Sequence, residues 1–183
     1  SFVDGSRGAG RLNYAGFKGI KDFTIRGCYK FLTFHEDNWS QYLFSCRSAN
    51  QIHYYCCMNN NGTRLAFNRN LEEDSTWVYE YVDKDFELEK WYDIAFTGRQ
   101  EGNRAIICCY IDGEKMWESN RAGNLRPLLD TIYVGTRHDN SSHANALIDE
   151  LLILPYAATE EEIKAWYAMG APFYDPSPVI PDS

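Results

Sequence analysis

The chain has 183 residues, 44% of them apolar and 15% aromatic, enough to bury one sizeable core in a single domain without covalent staples. Its formal net charge is -8 and its sequence pI is near 5.0; the Lys and Arg residues are scattered, so no basic stripe exists to neutralise a phosphate backbone and nucleic acid is not an expected partner. No run approaches the roughly 18 apolar residues of a membrane span, and the opening SFVDGSRGAG lacks the basic start and apolar stretch of a signal peptide, so a soluble chain without membrane insertion, entire or a piece of something longer, is expected.

Short runs rich in Val, Ile, Tyr, Phe and Thr recur between clusters of Gly, Asn, Asp and Ser, the pattern of antiparallel strands in a sandwich or barrel. In chain order the runs are Gly10 to Tyr14, Phe23 to Phe31, Tyr42 to Arg47, Gln51 to Cys57, Thr63 to Asn68, Trp77 to Val82, Lys90 to Thr97, Arg104 to Ile111, Glu114 to Glu118, Thr131 to Thr136 and Ala146 to Leu154. Asn61-Gly62 and Asp112-Gly113 supply the positive φ angles of tight hairpins and each joins two such runs. In Trp91 to Thr97, Tyr92, Ile94 and Phe96 share one face and Asp93, Ala95 and Thr97 the other. The first face is expected to be core, and the second wet or ligand-facing.

One helix is expected, late in the chain. Thr159 is a good N-cap, Glu162 completes a capping box, and Glu160 and Glu161 suit the positive end of the helix dipole. Ile163, Trp166 and Tyr167 fall on one apolar stripe, and Gly170 ends the helix. Residues 1–170 are thus expected to form the domain, with the Pro-rich segment 171–183 as an extended tail or linker.

Six cysteines are present, at Cys28, Cys46, Cys56, Cys57, Cys108 and Cys109. Four lie in adjacent pairs inside strand-like runs, where neighbours point to opposite faces, so neither pair can serve one site. Buried free thiols are expected. There is no CxxC, and His35, His53, His138 and His143 lie in separate segments without helical spacing, so a zinc site is not expected.

Three stretches in order, Trp91 to Thr97, then Cys109-Tyr110-Ile111-Asp112-Gly113-Glu114, then Ile148 to Leu154 followed by Ala158 to Ile163, resemble the concanavalin A-like, laminin-G-like jelly-roll domains. The resemblance implies an all-β, two-sheet antiparallel sandwich with one short C-terminal helix. It also implies the settings in which such domains occur: bacterial surface proteins, sugar-associated modules, and phage tail or receptor-binding proteins. Arg26-Gly27-Cys28 departs from the apolar, Trp-containing strand usual in that family.

Some proteins of this architecture hydrolyse glycosidic bonds, which takes two facing carboxylates, typically supplied as E-x-D-x-x-E on one strand. That pattern is missing. Glu72-Glu73-Asp74 reads as a charged, solvated turn, and Asp149-Glu150 places its carboxylates on opposite faces of a strand. A binding module is therefore expected, with no catalytic residue.

Aromatics outside the core register carry the binding expectation: Trp39 and Tyr42 after the polar loop at His35, His53 and Tyr55 on one strand, Trp77, Tyr79 and Tyr81 on another, with polar groups in the loops His35 to Ser40 and Asn59 to Thr63. Sugar rings lie against aromatic faces while amides, carboxylates and Arg satisfy the hydroxyls. The long polar loop Arg137-His138-Asp139-Asn140-Ser141-Ser142-His143 adds Arg137, His138, Asp139 and His143 as candidates. If a metal is bound it is calcium, through Asp139, Asn140 or Asp149. The expected partner is a glycan or cell-surface polysaccharide, on a virion or outside a cell. The alternatives are an assembly domain of the same fold contacting other subunits and, more remotely, a glycoside hydrolase.

Overall fold

The structure is a computed structural model and describes residues 10–36, 41–47, 50, 52–139 and 141–170. The described strands are β1 (Gly10–Asn13), β2 (Phe23–Phe31), β3 (Gln41–Arg47), β4 (Ile52–Asn59), β5 (Arg64–Asn68), β6 (Tyr79–Asp83), β7 (Trp91–Glu101), β8 (Arg104–Ile111), β9 (Glu114–Ala122), β10 (Thr131–Val134) and β11 (Ala146–Leu154), followed by helix α1 (Glu160–Ala168). They form a six-stranded sheet in the order β1-β10-β3-β4-β5-β6 and a five-stranded sheet in the order β11-β2-β7-β8-β9. Neighbouring strands in both sheets run antiparallel. The expected strands are all present, with ends displaced by a few residues. The tail at 171–183 lies outside the described residues.

The two hairpin dipeptides act as their chemistry dictates. Asn61 and Gly62 have φ of 54° and 82°, and Asp112 and Gly113 have 51° and 76°, the left-handed angles a tight antiparallel connection needs.

The inner faces of the two sheets supply one core, in which Phe23, Ile25, Tyr29 and Phe31 of β2 and Tyr92, Ile94 and Phe96 of β7 meet Phe44, Cys46, Tyr54, Cys56, Leu65 and Phe67 from the opposite sheet. Alternation places the adjacent cysteines on opposite faces, with Cys56 and Cys109 in this core and Cys57 and Cys108 outside it. All six are buried free thiols. Burial pushes those of Cys28 and Cys46 up to about 12, so thiolate chemistry is suppressed there.

The far side of β7 corrects an expectation. Asp93, Ala95 and Thr97 are neither wet nor ligand-facing; they are 3%, 0% and 4% exposed. Ala95 packs beneath α1 with Ile163 and Trp166. Arg26, the residue that departs from the family pattern, also lies on this side, its Nε 3.0 Å from both carboxylate oxygens of Asp93 and its guanidinium 5.7 Å from the Trp166 ring. The charge is thus paired under the helix. The capping box that starts α1 is complete: Glu162 N donates to Thr159 Oγ1 at 3.2 Å and Thr159 N to Glu162 Oε2 at 2.8 Å. Of the helix's expected stripe, Ile163 is buried, whereas Tyr167 is exposed.

Glu72-Glu73-Asp74 is also more than a solvated turn. Asp74 accepts from both terminal nitrogens of Arg121 at 3.0 Å, and Glu73 accepts from the backbone and side chain of Asn124. These carboxylates tie the turn to the end of β9 and the segment that follows it.

Candidate functional site

Because α1 covers the outside of the five-stranded sheet, the outer face of the six-stranded sheet is the one left to meet a partner. Beneath that face lies a buried cluster of Tyr42, Tyr55, Cys57 and Ala66, 4%, 3%, 0% and 0% exposed and separate from the main core. Pairing registers explain the row: Tyr42 lies opposite Cys57, Cys57 opposite Ala66, and Ala66 opposite Tyr81, so four strands contribute one residue each. A second row brings Tyr133, Ser45 and Tyr55 side by side.

Two bulges set which side chains face outward. The register passes from Tyr42–Cys57 to Phe44–Cys56, so β3 carries one extra residue, Leu43. Strict alternation would put Tyr42 inside with Phe44; the bulge sends Leu43 inward and releases Tyr42 to the outer cluster. The register then passes from Cys46–Tyr54 to Arg47–Ile52, which makes His53 the extra residue on β4. Its ring is re-aimed, with Nδ1 2.5 Å from the carbonyl oxygen of Pro127. His53 is therefore a buried brace, and its expected place beside Tyr55 is corrected.

Along the edge strand and its approach, Trp77, Tyr79 and Tyr81 alternate onto this face and are 42%, 44% and 37% exposed. Tyr55 sits between the groups, 5.3 Å from Tyr42 and 5.8 Å from Trp77, centroid to centroid. Tyr79 and Tyr81 meet edge to face at 5.6 Å. Such rings give a broad, rigid, partly apolar platform at little cost in side-chain entropy.

The loop from Gly135 to Ala144 flanks the platform. Gly135 N donates to Leu43 O at 2.8 Å and Tyr42 N to Ser142 O at 3.1 Å, while Arg137 N closes the loop on Ser141 O at 3.0 Å. Asp139 braces it from within, accepting from the Ser141 hydroxyl at 2.5 Å and standing 3.7 Å from an Arg137 terminal nitrogen. The Ser141 bonds hold the Asp139 carboxyl below the usual range. His143 pairs with Tyr42 in an isolated bridge. The Nδ1 atoms of His138 and His143, Nε of Arg137 and the Ser45 hydroxyl are buried without a hydrogen-bond partner among the described residues.

Arg47 is the feature the sequence reading passed over. It is 7% exposed, lies 4.5 Å from the Trp77 ring centroid, and its Nε has no partner among the described residues. Burial lowers its pKa and the charge of Arg137 adds to the lowering. Burial also lowers the pKa of His138, with Arg47 as the next cause, so that imidazole is neutral at pH 7.

The structure thus gathers Tyr42, Tyr55, Trp77, Tyr79, Tyr81, Arg137, His138, Asp139 and His143 of the expected set in one region, with Tyr42 and Tyr55 buried beneath the exposed rings as support and not as contact surface. Arg47 and Ser45 join them. Their signal was the strand parity Ser45, Arg47. Trp39 and Asn140 lie outside the described residues. The Asn59 to Thr63 loop is a self-satisfied turn, Asn60 Nδ2 donating to Thr63 Oγ1 at 2.7 Å.

The calcium expectation meets no assembled site. Asp149 stands on β11 of the other sheet, opposite Cys28, and accepts from Glu150 N, whereas Asp139 is engaged by Ser141 and Arg137. Among the described residues, no three His, Cys, Asp or Glu side chains gather to hold a metal ion.

Comparison with known proteins sets this geometry in context. The profile of the concanavalin A-like lectin/glucanases superfamily matches residues 7–164. No curated protein matches the sequence. Among solved structures, a heptameric SAP-like pentraxin from Limulus polyphemus aligns with a TM-score of 0.63 at 15% identity, covering 92% of this chain and 80% of that one. A Ruminococcus gnavus IT-sialidase CBM40 bound to α2,3 sialyllactose aligns at 0.62 and 14%, covering 84% and 86%. The receptor-binding domain of botulinum neurotoxin type G aligns at 0.60 and 11%, covering 91% of this chain but only 44% of its own length. At these identities the likeness is one of fold.

Proposed function

We propose that this chain, which belongs to the concanavalin A-like lectin/glucanases superfamily, is a non-catalytic recognition module that takes a carbohydrate on the outer face of its six-stranded sheet. The observation that carries the reading is the row of exposed rings Trp77, Tyr79 and Tyr81, linked through Arg47 under Trp77 to the polar loop that carries Arg137 and His138. A saccharide presents the complement of that surface, with C–H faces for the rings and hydroxyls for the polar groups of the loop. The carbohydrate-binding and receptor-binding domains among the structural relatives support it.

The non-catalytic part of the reading rests on the carboxylates beside the platform. Asp83 is paired with Arg64 at 2.6 Å and Asp139 is braced by Ser141. Neither is left poised as an acid or nucleophile across a bond. A location on a virion or an outer cell surface belongs to the same proposal.

The test is a glycan array probed with the wild-type chain and with Trp77→Ala and Tyr79→Ala, each checked for folding by circular dichroism. Selective binding, weakened about tenfold or more by either truncation as expected when a ligand-burying aromatic is removed, is the predicted result. Binding to no saccharide would reject the lectin reading and favour an assembly role for the exposed edge at β6.

A further inference from the structure

We infer that the saccharide bound on this face is acidic, and that its anionic group is received by Arg47 with Arg137 beside it. The inference rests on the lectin reading above and narrows it to a ligand class.

Arg26, Arg64, Arg69 and Arg121 each meet a carboxylate between 2.5 and 3.0 Å, and Arg104 and Arg126 donate to amide or backbone oxygens. Arg47 is as buried as Arg26, both 7% exposed, yet it has no ion pair among the described residues, and the contact it makes is with the face of Trp77. A guanidinium cannot shed its proton at any ordinary pH, so burial without a counter-charge leaves an unbalanced cation. Trp77 holds the group by cation–π attraction without neutralising it.

The described part of the loop balances it only in part. Arg137 bears on Arg47 as a second positive charge and Asp139 opposes it, but Asp139 is drawn to Ser141 and stands 3.7 Å from Arg137. Arg47 and Arg137 thus place two positive charges against Asp139 at this site, on a chain whose formal net charge is -8. His138 is neutral and adds hydrogen-bonding capacity instead of compensation. A neutral sugar could accept hydrogen bonds from Arg47 but would leave its charge unbalanced, whereas a carboxylate or sulfate would pair with it by charge-assisted hydrogen bonds.

The experiment compares matched probes on the full chain by calorimetry: oligogalacturonate against its methyl ester, and a sulfated against an unsulfated galactan oligosaccharide. The expected result is that at least one acidic member binds roughly 10- to 100-fold more tightly than its neutral twin, the range of a hydrogen bond to a charged group, and that the preference shrinks as salt rises. Arg47→Gln and, separately, Arg137→Gln are expected to remove most of that preference, while Arg99→Gln, at a distant surface ion pair, keeps it. The carboxylate and sulfate arms identify which anion is read. Equal binding of acidic and neutral twins, or a preference untouched in both site variants, overturns the inference and leaves the lectin reading standing. Binding of neither class, with the array also silent, overturns both.

Discussion

Arg47 shows at the scale of one residue how binding and stability pull apart on this face. It is buried, rests on Trp77 and makes no ion pair among the described residues, with only Asp139 opposing its charge at a distance. Replacing even a buried ion pair by apolar groups of similar volume is commonly neutral or stabilising by ~1–4 kcal/mol, and a buried charge without its pair has less to lose, while losing the contact with Trp77 gives back ~0.5–2 kcal/mol. Arg47→Met is therefore expected to raise the unfolding free energy by about 1 kcal/mol, read from urea titration, while weakening ligand binding. A destabilised Arg47→Met protein would mean that the charge is satisfied in the free state. Trp77 and Tyr79 were legible because their alternation with Val78 and Glu80 set them outside the core. Arg47 was not, since an Arg ending the run Tyr42-Leu43-Phe44-Ser45-Cys46 reads as the edge of a strand, and burial without a partner is a tertiary fact.

Elements decide where these residues point. The strands were readable because each is an apolar run between turn-forming residues, and α1 because Thr159 and Glu162 form a capping box by local bonding alone. The bulges at Leu43 and His53 were not readable: an extra residue leaves composition unchanged and shifts only the register against a neighbouring strand. One bulge brings Tyr42 to the platform and the other removes His53 from it. The role of α1 is covering, since it shields Ala95 and the Arg26–Asp93 pair. Thr159→Ala is expected to cost about 1 kcal/mol of stability in a denaturant titration without changing saccharide affinity. An affinity loss in that variant, at temperatures where it remains folded, would place the helix in the binding apparatus.

The whole molecule is a sandwich with unlike outer faces. The five-stranded sheet is closed over by α1, and the six-stranded sheet presents exposed aromatic rings beside the polar loop that carries Arg137 and His138. The jelly-roll architecture was legible from the order of Trp91 to Thr97, Tyr110 to Gly113 and Ile148 to Ile163. Which sheet stays open was not, because it depends on where a nine-residue helix docks. The claim that the six-stranded sheet's outer face takes the saccharide is tested most directly by NMR chemical-shift mapping of the labelled chain against the tightest glycan from the array. Shifts concentrated at Tyr42, Arg47, Tyr55, Trp77, Tyr79 and the loop from Arg137 to His143 are expected. Shifts confined to β2, β7, β8 and α1, with the aromatic platform unmoved, would contradict it.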